Sequence, residues 1–131
     1  MIALDTNILA RLLLRDDEQQ YRKAFKLLGD GRDYTTPPTV ILELVWVLST
    51  HDIPKADIAK GLRGLLGLPN FKPHQAAEIA VALSLYETGL DFADALHLSL
   101  SDGEDALLTF DMRFAGRAEC LATTPPVQSV D

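Results

Sequence analysis

Hydrophobic positions along the chain fall into short continuous runs that alternate with stripes at helical spacing. The first run, Met1-Ile2-Ala3-Leu4, ends at Asp5-Thr6-Asn7 and passes into Ile8, Leu9, Leu12 and Leu13, which predicts a buried strand with a helix starting at its end. Glu18 to Leu28 places Tyr21, Phe25 and Leu28 at i, i+4 and i+7 and predicts an amphipathic helix that stops at Gly29 and Gly31. Tyr34-Thr35-Thr36 reads as a short strand, and Pro37-Pro38 precedes an apolar helix from Val40 to Ser49. Asp52-Ile53-Pro54 opens another helix, with Ile58, Leu62, Leu65 and Leu66 on one side and Gly61 and Gly64 weakening it. Phe71-Lys72-Pro73 reads as one more short strand, His74 to Tyr86 as an alanine-rich helix closed by Gly89, and Asp91 to Ser101 as a helix stopped by Asp102-Gly103. Ala106 to Thr109 predicts a buried strand, Asp111 to Gly116 a short helix, and Cys120 to Thr123 a last strand before a proline-rich tail. Alternating strands and helices imply an α/β fold, with a parallel or mostly parallel sheet covered by helices on both faces.

With roughly 100 to 200 residues per domain as the prior, a chain of 131 residues is expected to be one domain, 1–131, with its own core. Hydrophobic residues at 47% and charged residues at 24% exclude a disordered or fibrous chain. No apolar run reaches the roughly 18 residues of a membrane span, and no export signal opens the chain. The sole cysteine, Cys120, excludes a disulfide framework and a cysteine-rich zinc site, which suits a reducing cytoplasm.

The net charge of −7 argues against a protein that wraps nucleic acid on a basic surface. Five of the twelve cations (Arg11, Arg15, Arg22, Lys23, Lys26) nevertheless fall within sixteen residues, so the positive charge is local. Arg11 and Arg15 lie four apart just beyond Asp5, and Arg113 lies two past Asp111; all three are candidates for a rim that contacts phosphate groups of a substrate, with surface solvation as the plain alternative.

Ligands of open α/β sheets bind beyond the carboxyl ends of the strands. Asp5 directly follows the first strand and Asp111 stands two residues after Thr109, so both are expected at that edge; helix capping is the plain alternative for each. Glu43 has Val40, Leu44, Trp46 and Val47 as helical neighbours, an apolar setting in which a carboxylate needs a cation, hydrogen bonds or a raised pKa. Asp91 and Asp94 are three apart, the spacing of an N-cap and the N3 acid of a capping box. Capping suits Asp91, whereas the apolar flanks of Asp94 turn it toward the sheet edge; His97 reads as an ordinary half-buried histidine. Four carboxylates meeting without a counter-charge would repel one another, and a divalent cation resolves the conflict. All-oxygen ligands suit Mg²⁺ or Mn²⁺, whose bound water is a nucleophile for phosphate-ester or phosphodiester hydrolysis.

Asp5-Thr6-Asn7 after an N-terminal strand, Glu43 in an apolar helix, Asp91-Phe92-Ala93-Asp94-Ala95, and Thr109-Phe110-Asp111-Met112-Arg113-Phe114 together resemble the four acidic motifs of the PIN domain. In length and order the whole chain resembles the VapC-type toxin subunits of VapBC type II toxin–antitoxin systems. The resemblance implies a three-layer α/β/α domain, a Mg²⁺- or Mn²⁺-dependent endoribonuclease, a homodimer, and a cognate VapB-type antitoxin that blocks the site. Carried over residue by residue, Asp5, Glu43, Asp94 and Asp111 match the metal-binding acids. Thr109 matches the polar residue two before the last acid, Thr6 and Asn7 match the polar positions of the first motif, and Asp91 stands outside the core set.

Other readings differ in their requirements. A receiver domain needs an acid pair after the first strand and a lysine after a late one, but Asp5 has no acidic neighbour and no lysine follows Thr109. A haloacid-dehalogenase-like phosphatase needs an Asp where Asn7 stands. A PIN-type scaffolding partner without turnover remains, and an RNA-cleavage assay separates it from a nuclease.

Overall fold

A computed structural model describes residues 1–130. In order, the described residues form β1 (Ile2–Ala3), α1 (Thr6–Leu14), α2 (Glu18–Leu28), β2 (Tyr34–Thr35), α3 (Pro38–Thr50), α4 (Lys55–Leu66), α5 (Ala76–Glu87), α6 (Phe92–Leu100), β3 (Leu107–Thr109), α7 (Met112–Cys120) and β4 (Val127–Ser129). The strand pairings are parallel: Ile2 lies opposite Tyr34, Leu107 opposite Val127 and Thr109 opposite Ser129, and Phe71 joins Tyr34 through an isolated parallel bridge. The fold is α/β, as the alternation predicts, but its paired strands are two or three residues long and form two two-stranded sheets. β1 and β3 are less buried than expected, Ile2 being 39% and Leu108 63% exposed. Among the described residues no helix is long and apolar enough to cross a membrane.

The chain divides into two compact units, Met1–Ala76 and the remainder from Ala77. In the first, α1 packs on α2 and α3, and Leu9, Tyr34, Ile41, Leu44, Ile58 and Leu62 are among its fully buried side chains. The helix α3 starts two residues before the expected Val40, because Pro38 at its first position has a preset φ and no N–H to leave unpaired. Thr36 donates from its hydroxyl to the Leu4 carbonyl (2.9 Å), which ties the segment after β2 to the end of β1. The Tyr34 hydroxyl donates to Asp30 (2.5 Å); the Arg32 guanidinium first, then this hydroxyl and the Arg32 backbone N–H, hold Asp30 down at about 2. The expected strand at Phe71 to Pro73 exists as backbone pairing alone: Tyr34 N–H donates to Asn70, Lys72 N–H to Tyr34 and His74 N–H to Thr36.

In the second unit, Ser99 donates to the Glu78 carbonyl (2.6 Å) and joins α6 to α5, while Tyr86 and Phe92 meet edge to face at 5.5 Å. α5 starts at Ala76 rather than His74, since Gln75 takes a left-handed conformation (φ 56) that ends regular backbone there. The expected strand at Cys120 to Thr123 is not a strand. Phe114 and Ala118 continue a buried helical stripe, so α7 runs to Cys120, and the Leu121 N–H closes it on Arg117. The last strand lies instead in the segment read as tail, where Pro126 uses only its carbonyl, accepting from Leu107 N–H (2.9 Å) at the entry of β4.

Candidate active site

The first unit contributes Asp5, Thr6, Asn7 and Glu43. Asp5 follows β1 and caps α1, its Oδ1 accepting from the Thr6 backbone N–H (2.8 Å), and among the described residues no hydrogen bond to its Oδ2 is found. Thr6 is 3% exposed and its hydroxyl donates to Glu43 Oε1, joining the start of α1 to the middle of α3. Asn7 is exposed. Glu43 is also exposed, contrary to the burial expected from its neighbours, because α3 buries Ile41, Leu44, Val45 and Leu48, and both Glu43 and Trp46 lie off that stripe. The hydrogen bond to Thr6, rather than burial, sets the position of this carboxylate.

The second unit contributes Asp91, Asp94, Thr109 and Asp111. Asp91 caps α6 by accepting from the Asp94 N–H (3.3 Å), which is half of the expected capping box. The other half is missing: among the described residues no hydrogen bond to the half-buried Asp94 carboxylate is found. Burial, and then the negative charges of Asp91 and Asp111, push Asp94 above the usual carboxylate range, with His97 pulling weakly the other way. Asp111 caps α7 through Oδ1, which accepts from Phe114 N–H (3.0 Å), and the Asp111 N–H donates to Thr109 Oγ1 (3.0 Å). Asp5 and Asp111 therefore share one pattern, with one oxygen fixed by backbone and, among the described residues, no hydrogen bond to the second. Among the described residues no three His, Cys, Asp or Glu side chains are grouped to hold a metal ion.

Arg11 and Arg15 do not form the expected free cationic rim. Arg11 pairs with Asp16 (2.8 Å), and Arg15 pairs with Glu18 (3.1 Å) while stacking over the Tyr21 ring at 4.2 Å, so carboxylates four or fewer residues beyond the end of α1 neutralise both. Arg113 has no carboxylate partner among the described residues. Arg117, which the motifs do not mark, lines the same cavity as Arg113; their i, i+4 spacing is the sequence signal that finds it.

A separate apolar groove of about 670 Å³ runs between α1, α2 and α4, lined by Leu12, Leu13, Tyr21, Phe25, Gly61 and Leu65. The stripe of α2 serves this groove rather than the core, since Phe25 is 65% exposed, whereas Ile58, Leu62 and Leu65 of α4 are buried.

In comparisons with known proteins, the family model for the PIN domain matches residues 2–119. No curated protein and no solved structure is matched. Because that single match runs from β1 into α7, and so takes in all four motif acids, the chain belongs to the PIN domain family.

Proposed function

We propose that the chain is a Mg²⁺- or Mn²⁺-dependent endoribonuclease and the toxin of a VapBC-type toxin–antitoxin system. PIN domains are usually nucleases that use divalent metal ions, typically bind nucleic acid and often partner with an antitoxin. The observation that carries the reading further is Asp94: a half-buried carboxylate with no hydrogen bond found among the described residues, raised above its ordinary value by burial first and then by the charges of Asp91 and Asp111. A carboxylate in that setting favours a positive charge beside it, and the set of four motif acids is all-oxygen. Its donors fit a hard cation, since Mg²⁺ takes one or two carboxylates and fills its remaining positions with water. Asp5, Asp94 and Asp111 would hold the ion, with Glu43 as a further ligand or as the group that orients water. When bound, the ion lowers the pKa of a water and neutralises charge on a phosphate oxygen.

The chain's own residues supply the positioning. Backbone N–H groups fix Asp5 and Asp111 through Oδ1 and leave Oδ2 to bind. Thr109 holds the backbone of Asp111, and Thr6 occupies Glu43 Oε1, so that Oε2 is the atom left to accept a proton from the attacking water. A water nucleophile requires no RNA 2′-hydroxyl and leaves 5′-phosphate and 3′-hydroxyl ends. We expect the pure protein to cut total cellular RNA with Mg²⁺ or Mn²⁺ and to stop in excess EDTA. Products ending in 2′,3′-cyclic phosphate, or full activity in EDTA, would refute the mechanism; intact RNA under every condition would leave a PIN-type scaffolding partner.

The groove between α1, α2 and α4 suits an amphipathic helical segment of a VapB-type antitoxin, whose apolar face it would cover. A basic residue carried by the same segment would replace the metal's charge among the acids. Gly64 lies on the groove, and a Cβ added there meets nothing within 4 Å, so Gly64→Trp is expected to fill the groove without disturbing α4. The variant should still cut RNA but escape inhibition by the antitoxin, measured by titrating the antitoxin into the cleavage assay. The homodimer rests on the family resemblance; Trp46, 65% exposed on α3, is a side chain that such a contact would cover. The cytoplasm is the proposed location.

A further inference from the structure

We infer that the face of α7 carrying Arg113 and Arg117, together with Phe110 just before the helix, is the surface that grips the RNA strand. The inference rests on the nuclease reading and adds to it the residues that hold the substrate. Arg113 and Arg117 are four apart and therefore on one face of α7. Both line a cavity of about 590 Å³ with Met112, Gly116, Gly89 and Leu90. Cβ atoms added at Gly89 and Gly116 would meet nothing within 4 Å, so the space beside the two guanidinium groups is open. Arg117 donates from Nη1 to the Gly89 carbonyl (2.9 Å), which fixes the plane of its guanidinium and leaves its remaining N–H groups for a ligand.

Charge separates this pair from the arginines of α1, α2 and the segment before β2. Arg11, Arg15, Arg22 and Arg32 each face a carboxylate within 4 Å, whereas among the described residues neither Arg113 nor Arg117 does. On a body of net charge −7, two guanidinium groups left unpaired in one cavity are complementary to phosphate oxygens.

The second feature is apolar. Leu108, Phe110 and Met112 are 63%, 81% and 73% exposed, so every other position from β3 into α7 presents a large apolar side chain to water, around the motif acid Asp111. One exposed apolar residue needs no explanation, but three in alternation beside a motif acid offer apolar side chains, one of them aromatic, to a ligand at that edge. Cations along a backbone track with an aromatic face for a base are how single strands are held without sequence readout. The arrangement also answers the acidic net charge, because stacking gains affinity that does not depend on an overall positive field.

The test is fluorescence anisotropy with a labelled single-stranded 12-mer RNA in EDTA, from 50 to 300 mM NaCl, beside cleavage of the same RNA with Mg²⁺. Arg113→Ala and Arg117→Ala are each expected to lower the slope of log K against log salt by about 0.7, and the double variant by about 1.4. Phe110→Ala is expected to weaken binding about 5- to 100-fold at an unchanged slope, and Phe110→Tyr to restore it. Arg15→Ala, which removes a cation already paired with Glu18, should change neither. Wild-type affinities and slopes in the three variants would overturn the inference while leaving the nuclease reading intact. Binding that follows the expected pattern in a chain without Mg²⁺-dependent cleavage would support this surface and refute the nuclease reading. If Phe110→Ala instead turns a dimer into a monomer on size-exclusion chromatography with unaltered RNA affinity, the patch joins two copies of the chain and the inference fails.

Discussion

Asp111→Asn is expected to lower RNA cleavage by about a thousandfold or more, the loss of several kcal/mol of metal-dependent stabilisation, while its melting temperature stays within a degree or two of wild type. Asn caps a helix as well as Asp does, so the bond from Phe114 N–H survives the change and only the charge is lost. Asp111→Ala loses both, adding a capping cost of about 1 kcal/mol, a few degrees in a chain of this size. The pair of variants thereby separates chemistry from capping, which the motif alone leaves entangled. Full activity in the Asn variant with lowered stability in the Ala variant would reduce Asp111 to a cap. Asp94→Asn carries a further signature. Burial and the charges of Asp91 and Asp111 raise its pKa in the folded chain, so its ionised form opposes folding. Without metal, Asp94→Asn should therefore melt above wild type at neutral pH. The difference is full above the raised pKa and vanishes as pH falls through it toward the range of an unfolded Asp. Melting curves from pH 3.5 to 7.5 in EDTA read this directly, and a pH-independent difference would refute the repulsion.

Glu43→Gln and Thr6→Val are expected to slow cleavage for different reasons. Gln still accepts from the Thr6 hydroxyl but cannot take a proton from water or face a cation with full charge, so kcat should fall about 100-fold with little change in stability. Val fills the buried space of Thr6 and keeps the charge of Glu43 but removes its tether. Groups that orient a ligand in this way are worth about 10- to 100-fold in activity, and the lost hydrogen bond costs only about 1 kcal/mol because the exposed Glu43 rehydrates. Single-turnover cleavage with thermal melts distinguishes the two. Wild-type kcat in Thr6→Val would show that Glu43 needs no positioning, and wild-type kcat in Glu43→Gln would remove it from the site.

Local periodicity determined most of the elements. The helix Glu18–Leu28 has the expected bounds because a capping Asp17, a single apolar stripe and a following Gly29 all act within the segment itself. The acids at strand ends were legible for the same reason, since a strand that ends at Ala3 or Thr109 places the polar residue two positions on at its edge wherever its partner lies. Where neighbours distant in sequence decide, periodicity failed. Cys120 to Thr123 is as apolar as a strand, but the buried positions Phe114 and Ala118 carry α7 on to Cys120, the following residues form its end, and the backbone of β3 is paired by Val127–Ser129 instead. Glu43 has apolar neighbours in sequence yet faces solvent, because helix packing and not the nearest side chains selects which stripe of α3 is covered. Arg11 and Arg15 form a cationic cluster in sequence and each meets a carboxylate in the fold, whereas Arg113, a candidate from the start, and Arg117, which no motif marks, share one cavity and have no carboxylate partner among the described residues. Residue type and spacing state which charges exist; which of them remain uncompensated depends on what folding brings within about 4 Å, where their interaction is strong.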